Sequence, residues 1–223
     1  MKGFKAMKKF LRWVWISGLL SGCVLHETVD SMQIIDDIPL HQPTEILVQN
    51  EEQINCIEID GLLKESFVQG KDNQQLVYHD IEGQRVDAGP VFLDYRCNLN
   101  SDNLILYGHS SRTSQILFTP LTHYLDEAFA RNHSELKLRI NDCKYVYELI
   151  SVFLFNIYEP SDNDWMQVNF EKEFLYQKAV ERLKERSMFE LNDAYGNQML
   201  TLVTCNPDNH DERLIVIGMK KSA

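Results

Sequence analysis

Residues 199–217 read MLTLVTCNPDNHDERLIVI, and this stretch decides the fold. It contains two apolar runs, 199–204 and 213–217, whose length and content of β-branched residues are typical of buried strands. The polar segment 206–212 lies between them, so we predict a loop at which the chain turns back to form a hairpin. The hairpin would bring Arg213, which opens the second strand, beside Cys205, which ends the first.

Further strand-like runs precede this hairpin. We predict strands near residues 54–59, 67–68, 76–78, 91–95, 103–107, 135–140 and 145–158. The spacing of apolar residues predicts helices over 120–131 and over 171–188, the longer of which comes before the Cys205 strand. Because strands dominate and short turns join most of them, we expect a mostly β fold, a closed barrel decorated by helices.

His109 also lies where a buried strand emerges into a loop, since it follows the apolar run 104–107 and Gly108. Together with Cys205 and Arg213 it would suit acyl transfer. A thiolate attacks a carbonyl carbon, an imidazolium protonates the leaving amine, and a guanidinium binds the substrate and the oxyanion. Taken alone, the three residue types are weak support, because an isolated cysteine is more often buried packing than a nucleophile.

The sequence around these residues resembles the sortase family, and class B sortases in particular. Residues 201–205 (TLVTC) match the TLxTC pattern that ends in the nucleophile, and residues 106–109 (LYGH) match the YGH motif. The run 213–217 resembles the strand that an arginine opens, and the segments 68–73 and 92–96 are similar to class B segments before the histidine. The resemblance covers roughly residues 50–220.

The resemblance implies an eight-stranded sortase-type β-barrel with one long helix before the nucleophile strand. It implies a catalytic set of His109, Cys205 and Arg213, and a thioacyl intermediate on Cys205 formed by cutting the C-terminal sorting motif of a surface protein. An amino group of a peptidoglycan precursor or of a pilin would resolve that intermediate. We expect Thr204 and Ser110 to bind the substrate, although Thr204 could instead pack beneath Cys205. No metal and no organic cofactor is implied.

Two departures from the family pattern keep other functions open. Ser110 and Ser111 follow His109 where the family often has Asn-Met, and the N-terminal segment looks unlike the usual signal anchor. A cell-surface cysteine hydrolase or peptidase would use the same residues with water as the acceptor. A non-catalytic surface lipoprotein on a sortase scaffold is the other alternative.

The N-terminal residues 1–25 read as a targeting segment, basic at first and then apolar. Residues 20–23 (LSGC) resemble a lipoprotein cleavage box that would lipidate Cys23, and an uncleaved signal anchor is the alternative. Either would tether the protein through its N-terminus to the extracytoplasmic face of a bacterial cell membrane. We expect a stalk over 26–50 and the catalytic domain over 51–223.

Composition excludes several other classes. The formal net charge of −11, with only positive charges in the first 25 residues, makes the remainder strongly acidic, which argues against a nucleic-acid partner. The five cysteines contain no C-x-x-C pair, so no structural zinc site is expected, and they are too few for a disulfide framework in a domain this large. We expect Cys56, Cys97 and Cys143 to be buried, and Asp94 and Arg96 to form an internal ion pair.

Overall fold

The computed structural model describes residues 55–158 and 163–222, whose strands close into a barrel. In chain order the strands are β1 (Cys56–Ile59), β2 (Leu63–Gln69), β3 (Val91–Leu93), β4 (Asn103–Tyr107), β5 (Glu135–Ile140), β6 (Cys143–Asn156), β7 (Met199–Asn206) and β8 (Asn209–Lys220). Around the barrel the order is β1, β2, β3, β4, β7, β8, β6 and β5, and β5 pairs with β1. The predicted closed eight-stranded barrel is confirmed.

The pairing of β4 with β7 is parallel, and it joins two segments that lie far apart in the sequence. This pair places β7 between β4 and β8, so that Leu200 and Leu202 are fully buried on one face of β7 and Thr201 on the other. A strand that is covered on both faces is apolar almost throughout rather than at alternate positions. That is why the run before Cys205 contains so few polar residues.

The helix α3 (Glu173–Glu185) confirms the prediction over 171–188. Its buried residues Tyr176, Ala179, Val180 and Leu183 form one face. The Ser151 hydroxyl on β6 donates to the Leu183 carbonyl at 2.6 Å, so this face packs on the side of β6 that bears Ser151. In the β6–β8 pairing Ser151 shares its face with Phe155, the partner of Arg213.

The predicted strand at 76–78 is wrong, because these residues belong to a short helix, α1 (Asn73–Tyr78). Asp72 precedes it, and its carboxylate accepts a hydrogen bond from the Gln75 N–H at 2.8 Å. This is an N-cap, which satisfies a donor of the first turn. Leu76 is the buried residue of the helix, and its apolar neighbours misled the strand assignment.

The predicted helix over 120–131 is interrupted. A 3-10 helix (Thr119–Leu125) is followed by the helix α2 (Glu127–Asn132), and Asp126 between them is extended. The Asp126 carboxylate accepts from the Phe129 N–H at 2.7 Å. Asp126 therefore ends one helix and caps the next, an effect that the apolar periodicity did not reveal.

All four cysteines of the described residues have free thiols. Cys56 and Cys97 are buried as predicted, and burial raises the pKa of the Cys97 thiol to about 12, which makes it unreactive. The prediction for Cys143 is wrong, because this residue is exposed. Cys143 lies at the start of β6, where its pairing partner is Ile140 of β5. The pairing of β6 with β8 begins only at Tyr147, so β8 does not reach Cys143.

Within the described ranges no helix combines the length and the apolar content that a bilayer crossing requires. The predicted targeting segment 1–25, the predicted stalk 26–50 and the first residues of the predicted domain 51–223 lie outside those ranges. Those assignments, including the lipidation of Cys23, stay predictions.

Candidate active site

The β7–β8 hairpin places Cys205 directly opposite Arg213. Directly paired residues point their side chains to the same face, with Cβ atoms about 5 Å apart. The connection is tighter than the predicted loop over 206–212, because Asn206 pairs with Asn209 and residues 210–212 form a bulge in β8. The Asn206 side chain produces this turn by accepting from the Asp208 N–H at 3.0 Å.

The parallel β4–β7 pair brings the His109 segment to the same end of β7. Its last register pair joins Tyr107 to Val203, and the Gly108 N–H donates to the Val203 carbonyl at 3.1 Å. Beyond that pair, hydroxyl bonds from Thr204 to the Gly108 carbonyl and from Ser110 to the Cys205 carbonyl hold the His109 segment beside the end of β7. His109, Cys205 and Arg213 are partly exposed, so they are accessible from solvent.

Gly108 permits this geometry by its lack of a side chain. A Cβ at this position would lie 2.6 Å from the Phe118 ring, which is fully buried. The Phe118 N–H also donates to the His109 carbonyl at 3.0 Å. A glycine before His109 is therefore required by the close approach of the two segments.

The hydroxyls of Thr204 and Ser110 both join the two strands. The Thr204 hydroxyl donates to the Gly108 carbonyl at 2.7 Å, and Thr204 is 2% exposed. The Ser110 hydroxyl donates to the Cys205 carbonyl at 2.5 Å. These bonds fix the nucleophile strand against the histidine segment, and the substrate contacts expected of both residues stay predictions.

The His109 imidazole is held by the end of α1. Its Nε2 lies 2.6 Å from the Val77 carbonyl oxygen, which also accepts from the Gly89 N–H at 3.2 Å. A carbonyl oxygen accepts only, so Nε2 carries a proton and Nδ1 is the nitrogen that can exchange one with a substrate. The Tyr78 ring lies beside the imidazole, with 5.8 Å between the ring centroids. The sequence analysis did not predict that α1 holds the imidazole, because it assigned residues 76–78 to a strand. The residue that could have indicated a helix here is its N-cap, Asp72.

The Arg213 guanidinium is anchored in the β8 bulge. Its Nη1 donates to the carbonyls of His210 and Glu212 at 2.9 and 3.0 Å. Within the described chain these bonds engage Nη1 alone, so Nε and Nη2 keep donors for an anionic oxygen. Arginine stays protonated under all ordinary conditions, so Arg213 can supply positive charge but cannot act as a base.

Arg112 forms a second link between the histidine segment and the hairpin, which the sequence interpretation did not single out. Its Nη2 donates to the Asp208 carbonyl at 2.8 Å, and its Nε donates to the Pro207 carbonyl. Both carbonyls lie in the two-residue turn between β7 and β8. Arg112 therefore connects this turn to the segment that follows His109.

The structure thus places the backbones of Cys205, His109 and Arg213 close together at one rim of the barrel. Their catalytic roles stay predictions. Among the described residues no cluster of three His, Cys, Asp or Glu side chains could hold a metal ion. The arrangement can supply a nucleophile, a proton donor and an anion-binding group.

Comparison with protein families matches residues 68–221 to the sortase domain. The chain is 26% identical to sortase B of Listeria monocytogenes over 168 residues. This match covers 72% of this chain and 65% of that protein. It is 28% identical to sortase B of Staphylococcus aureus over 178 residues, and this match covers 76% of this chain and 70% of that protein. The chain thus spans about two thirds of the length of these relatives.

Among solved structures the chain is similar to a sortase B–substrate complex from Staphylococcus aureus. The match has 25% identity and a TM-score of 0.66, and it covers 78% of this chain and 82% of that one. The similarity therefore extends over nearly all of the described barrel.

Proposed function

The chain belongs to the sortase family, in its class B, and we propose that it is a cysteine transpeptidase with Cys205 as its nucleophile. One observation carries the proposal. Cys205 is paired directly with Arg213, and its carbonyl accepts from the hydroxyl of Ser110, the residue next to His109. Three residues that are distant in the sequence would not share one rim unless the fold brought them there.

The first half-reaction forms a thioacyl enzyme. The Cys205 thiolate attacks the carbonyl carbon of the scissile peptide, an S–C bond forms, and the carbonyl electrons move to the oxygen. The tetrahedral intermediate then collapses, the C–N bond breaks, and the leaving amine takes a proton from the His109 imidazolium. His109 is neutral and Cys205 is acylated at the end of this step.

The second half-reaction transfers the acyl group. An acceptor amine attacks the thioester carbon, neutral His109 takes a proton from the amine, and the Cys205 thiolate leaves. The site has then returned to its starting protonation state. Arg213 serves both tetrahedral intermediates, because the donors on its Nε and Nη2 can bind the oxyanion. Removing one such donor costs about 100-fold or more in other enzymes.

The donor substrate that we propose is a surface protein with a C-terminal sorting motif. The acceptor is an amino group of a peptidoglycan precursor or of a pilin. Family membership and the need of the second step for an amine support this assignment. The acidic composition of the chain does not favour nucleic acid as a partner.

We also propose that residues 1–25 tether the protein to the extracytoplasmic face of a bacterial cell membrane, as a lipoprotein through Cys23 or as a signal anchor. The basic and then apolar sequence of this segment supports the tether. Mass spectrometry of the mature N-terminus distinguishes the two, since only a lipoprotein begins at a diacylated Cys23. An unmodified N-terminus on a protein recovered from the cytoplasm would contradict both.

The enzymatic proposal is tested with the full chain in detergent and a library of quenched fluorescent peptides that present C-terminal sorting motifs. Cleavage and an acyl-enzyme mass adduct are expected for the wild type and should be absent from Cys205→Ala. Cys143→Ala is the matched control, because it removes the exposed thiol at the start of β6. A Cys205→Ala protein that still cleaves the peptides would refute the proposal.

Triglycine or hydroxylamine distinguishes transfer from hydrolysis. A transpeptidase should produce the amine adduct and turn over faster when the amine is present. A product and rate that no amine changes would make the protein a hydrolase. A protein that cleaves no library member and whose Cys205 resists a thiol-reactive probe would be a non-catalytic surface protein.

A further inference from the structure

We propose that Asp94 is a positioning residue for His109, because its buried carboxylate fixes both segments that hold the imidazole. The inference rests on the proposed function, since it concerns the same site. Asp94 follows β3 directly and has no exposed surface, so it cannot contact a substrate. Any effect that it has on the reaction must pass through other residues.

The Asp94 carboxylate accepts five hydrogen bonds. Arg96 provides three of them, from its backbone N–H at 2.9 Å, from Nε at 2.9 Å and from Nη2 at 2.8 Å. The Asn73 amide donates at 3.0 Å and the Tyr107 hydroxyl at 3.1 Å. The expected ion pair of Asp94 with Arg96 is confirmed, and the two further donors connect it to the active site.

One connection runs through β4. Tyr107 is the last residue of β4 and lies two positions before His109. Its hydroxyl bond to Asp94 therefore fixes the strand end from which the His109 backbone continues. Burial raises the pKa of the Tyr107 phenol, so the hydroxyl keeps its proton and stays a donor to Asp94.

The other connection runs through α1. Asn73 is the first residue of this helix, and Val77, whose carbonyl binds the His109 ring, lies near its end. The Asn73 side chain donates to Asp94 and accepts from the Tyr95 N–H at 3.0 Å. A helix of six residues is not stable on its own, so its position depends on anchors of this kind.

The charge on Asp94 is what makes this anchor strong. Burial alone would raise the pKa of the carboxyl, but the hydrogen bonds and the positive charge of Arg96 outweigh burial and hold the pKa below its usual value. An ionised acceptor forms stronger hydrogen bonds than a neutral amide does. Asp94→Asn is nearly isosteric, yet it should loosen both connections at once.

The test compares Asp94→Asn, Asn73→Ala and Tyr107→Phe, each in the full chain. Ser151→Ala is the control, because it removes a buried hydroxyl bonded to Leu183 beneath α3, on neither connection. We expect kcat to fall about tenfold or more in the first three variants with KM nearly unchanged, since small displacements of a catalytic group are costly. The Ser151→Ala enzyme should keep the wild-type kcat.

A second readout needs no turnover, so it separates failure of this inference from failure of the proposed function. In alkaline buffer at about pH 9, where imidazoles are ordinarily neutral, the ¹⁵N spectrum should show His109 as one tautomer, protonated at Nε2, in the wild type and in Ser151→Ala. The Asp94→Asn and Asn73→Ala spectra should show a mixture of both tautomers. Folded variants with the wild-type tautomer and wild-type kcat would overturn the proposal. If Asp94→Asn fails to fold, Asn73→Ala decides by the same two measurements.

Discussion

Replacing Gly89 with alanine tests whether the position of α1 controls the active site. An ideal Cβ at Gly89 would lie 1.8 Å from the Leu76 carbonyl oxygen and 3.1 Å from that of Val77. Because a carbon and a carbonyl oxygen rarely approach within about 3.3 Å, the helix end or the Gly89 turn has to move by roughly 1.5 Å. Movement of the helix end displaces the Val77 carbonyl from the His109 ring, and movement of the turn breaks the Gly89 N–H bond that helps to hold that carbonyl.

Two costs follow from this displacement. Forcing a methyl group into a packed site costs about 1–3 kcal/mol, and losing the bond from the Gly89 N–H to Val77 costs about 1 kcal/mol more. We therefore expect the free energy of unfolding to fall by about 3 kcal/mol. A misplacement of about 1 Å can lower a rate about 100-fold, so we expect kcat to fall by that factor.

Urea denaturation measures the first effect and peptide cleavage well below the unfolding transition measures the second. Gly83→Ala is the matched control, because Gly83 lies in the same connection and a Cβ there meets nothing within 4 Å. Its positive φ of 80° should cost about 1 kcal/mol of stability, without an effect on kcat. A folded Gly89→Ala enzyme with wild-type kcat would refute the reasoning, as would a Gly83→Ala enzyme that is equally slow.

Three further predictions concern single side chains. Thr204→Val deprives the Gly108 carbonyl of its donor and should lower the free energy of unfolding by about 1–2 kcal/mol in urea; an unchanged midpoint would contradict this. Arg213→Lys keeps the charge but loses the planar donors, so kcat should fall about 100-fold in the cleavage assay, and full activity would argue against oxyanion binding. Asp94 has a lowered pKa, so its stabilisation is present above the unfolded-state value near ~3.9 and is lost as the pH falls through the folded-state value. Urea titrations below about pH 4 should therefore show a shallower pH dependence for Asp94→Asn, and equal slopes would contradict it.

The C-terminal hairpin could be predicted from the sequence because its contacts are local. Two apolar runs flank a short polar segment, and the register that pairs Cys205 with Arg213 follows from a tight turn. The length of the connection was overestimated, since the polar residues 210–212 lie in a bulge rather than in a loop. Polarity alone does not distinguish a bulge at the rim of a barrel from a loop.

The remainder of the site depends on contacts between distant segments. No spacing rule relates His109 to Cys205, because the parallel β4–β7 pair that joins them spans about half of the barrel domain in sequence. Only the resemblance of the surrounding motifs indicated that they meet. The helix α1 was assigned as a strand because residues 76–78 are apolar and β-prone, whereas its existence depends on the Asp72 cap and on the Asn73 contact with Asp94.

The position of β7 and β8 in the barrel has a consequence for chains cut short by a premature stop codon. These two final strands fill the gap between β4 and β6, and they bring with them both the thiol and the guanidinium. A product that ends before residue 199 would leave two open sheet edges, which invite aggregation, in addition to having no nucleophile. A chain without β7 and β8 should therefore not accumulate as a folded protein. No folded but inactive form would then compete for the substrates.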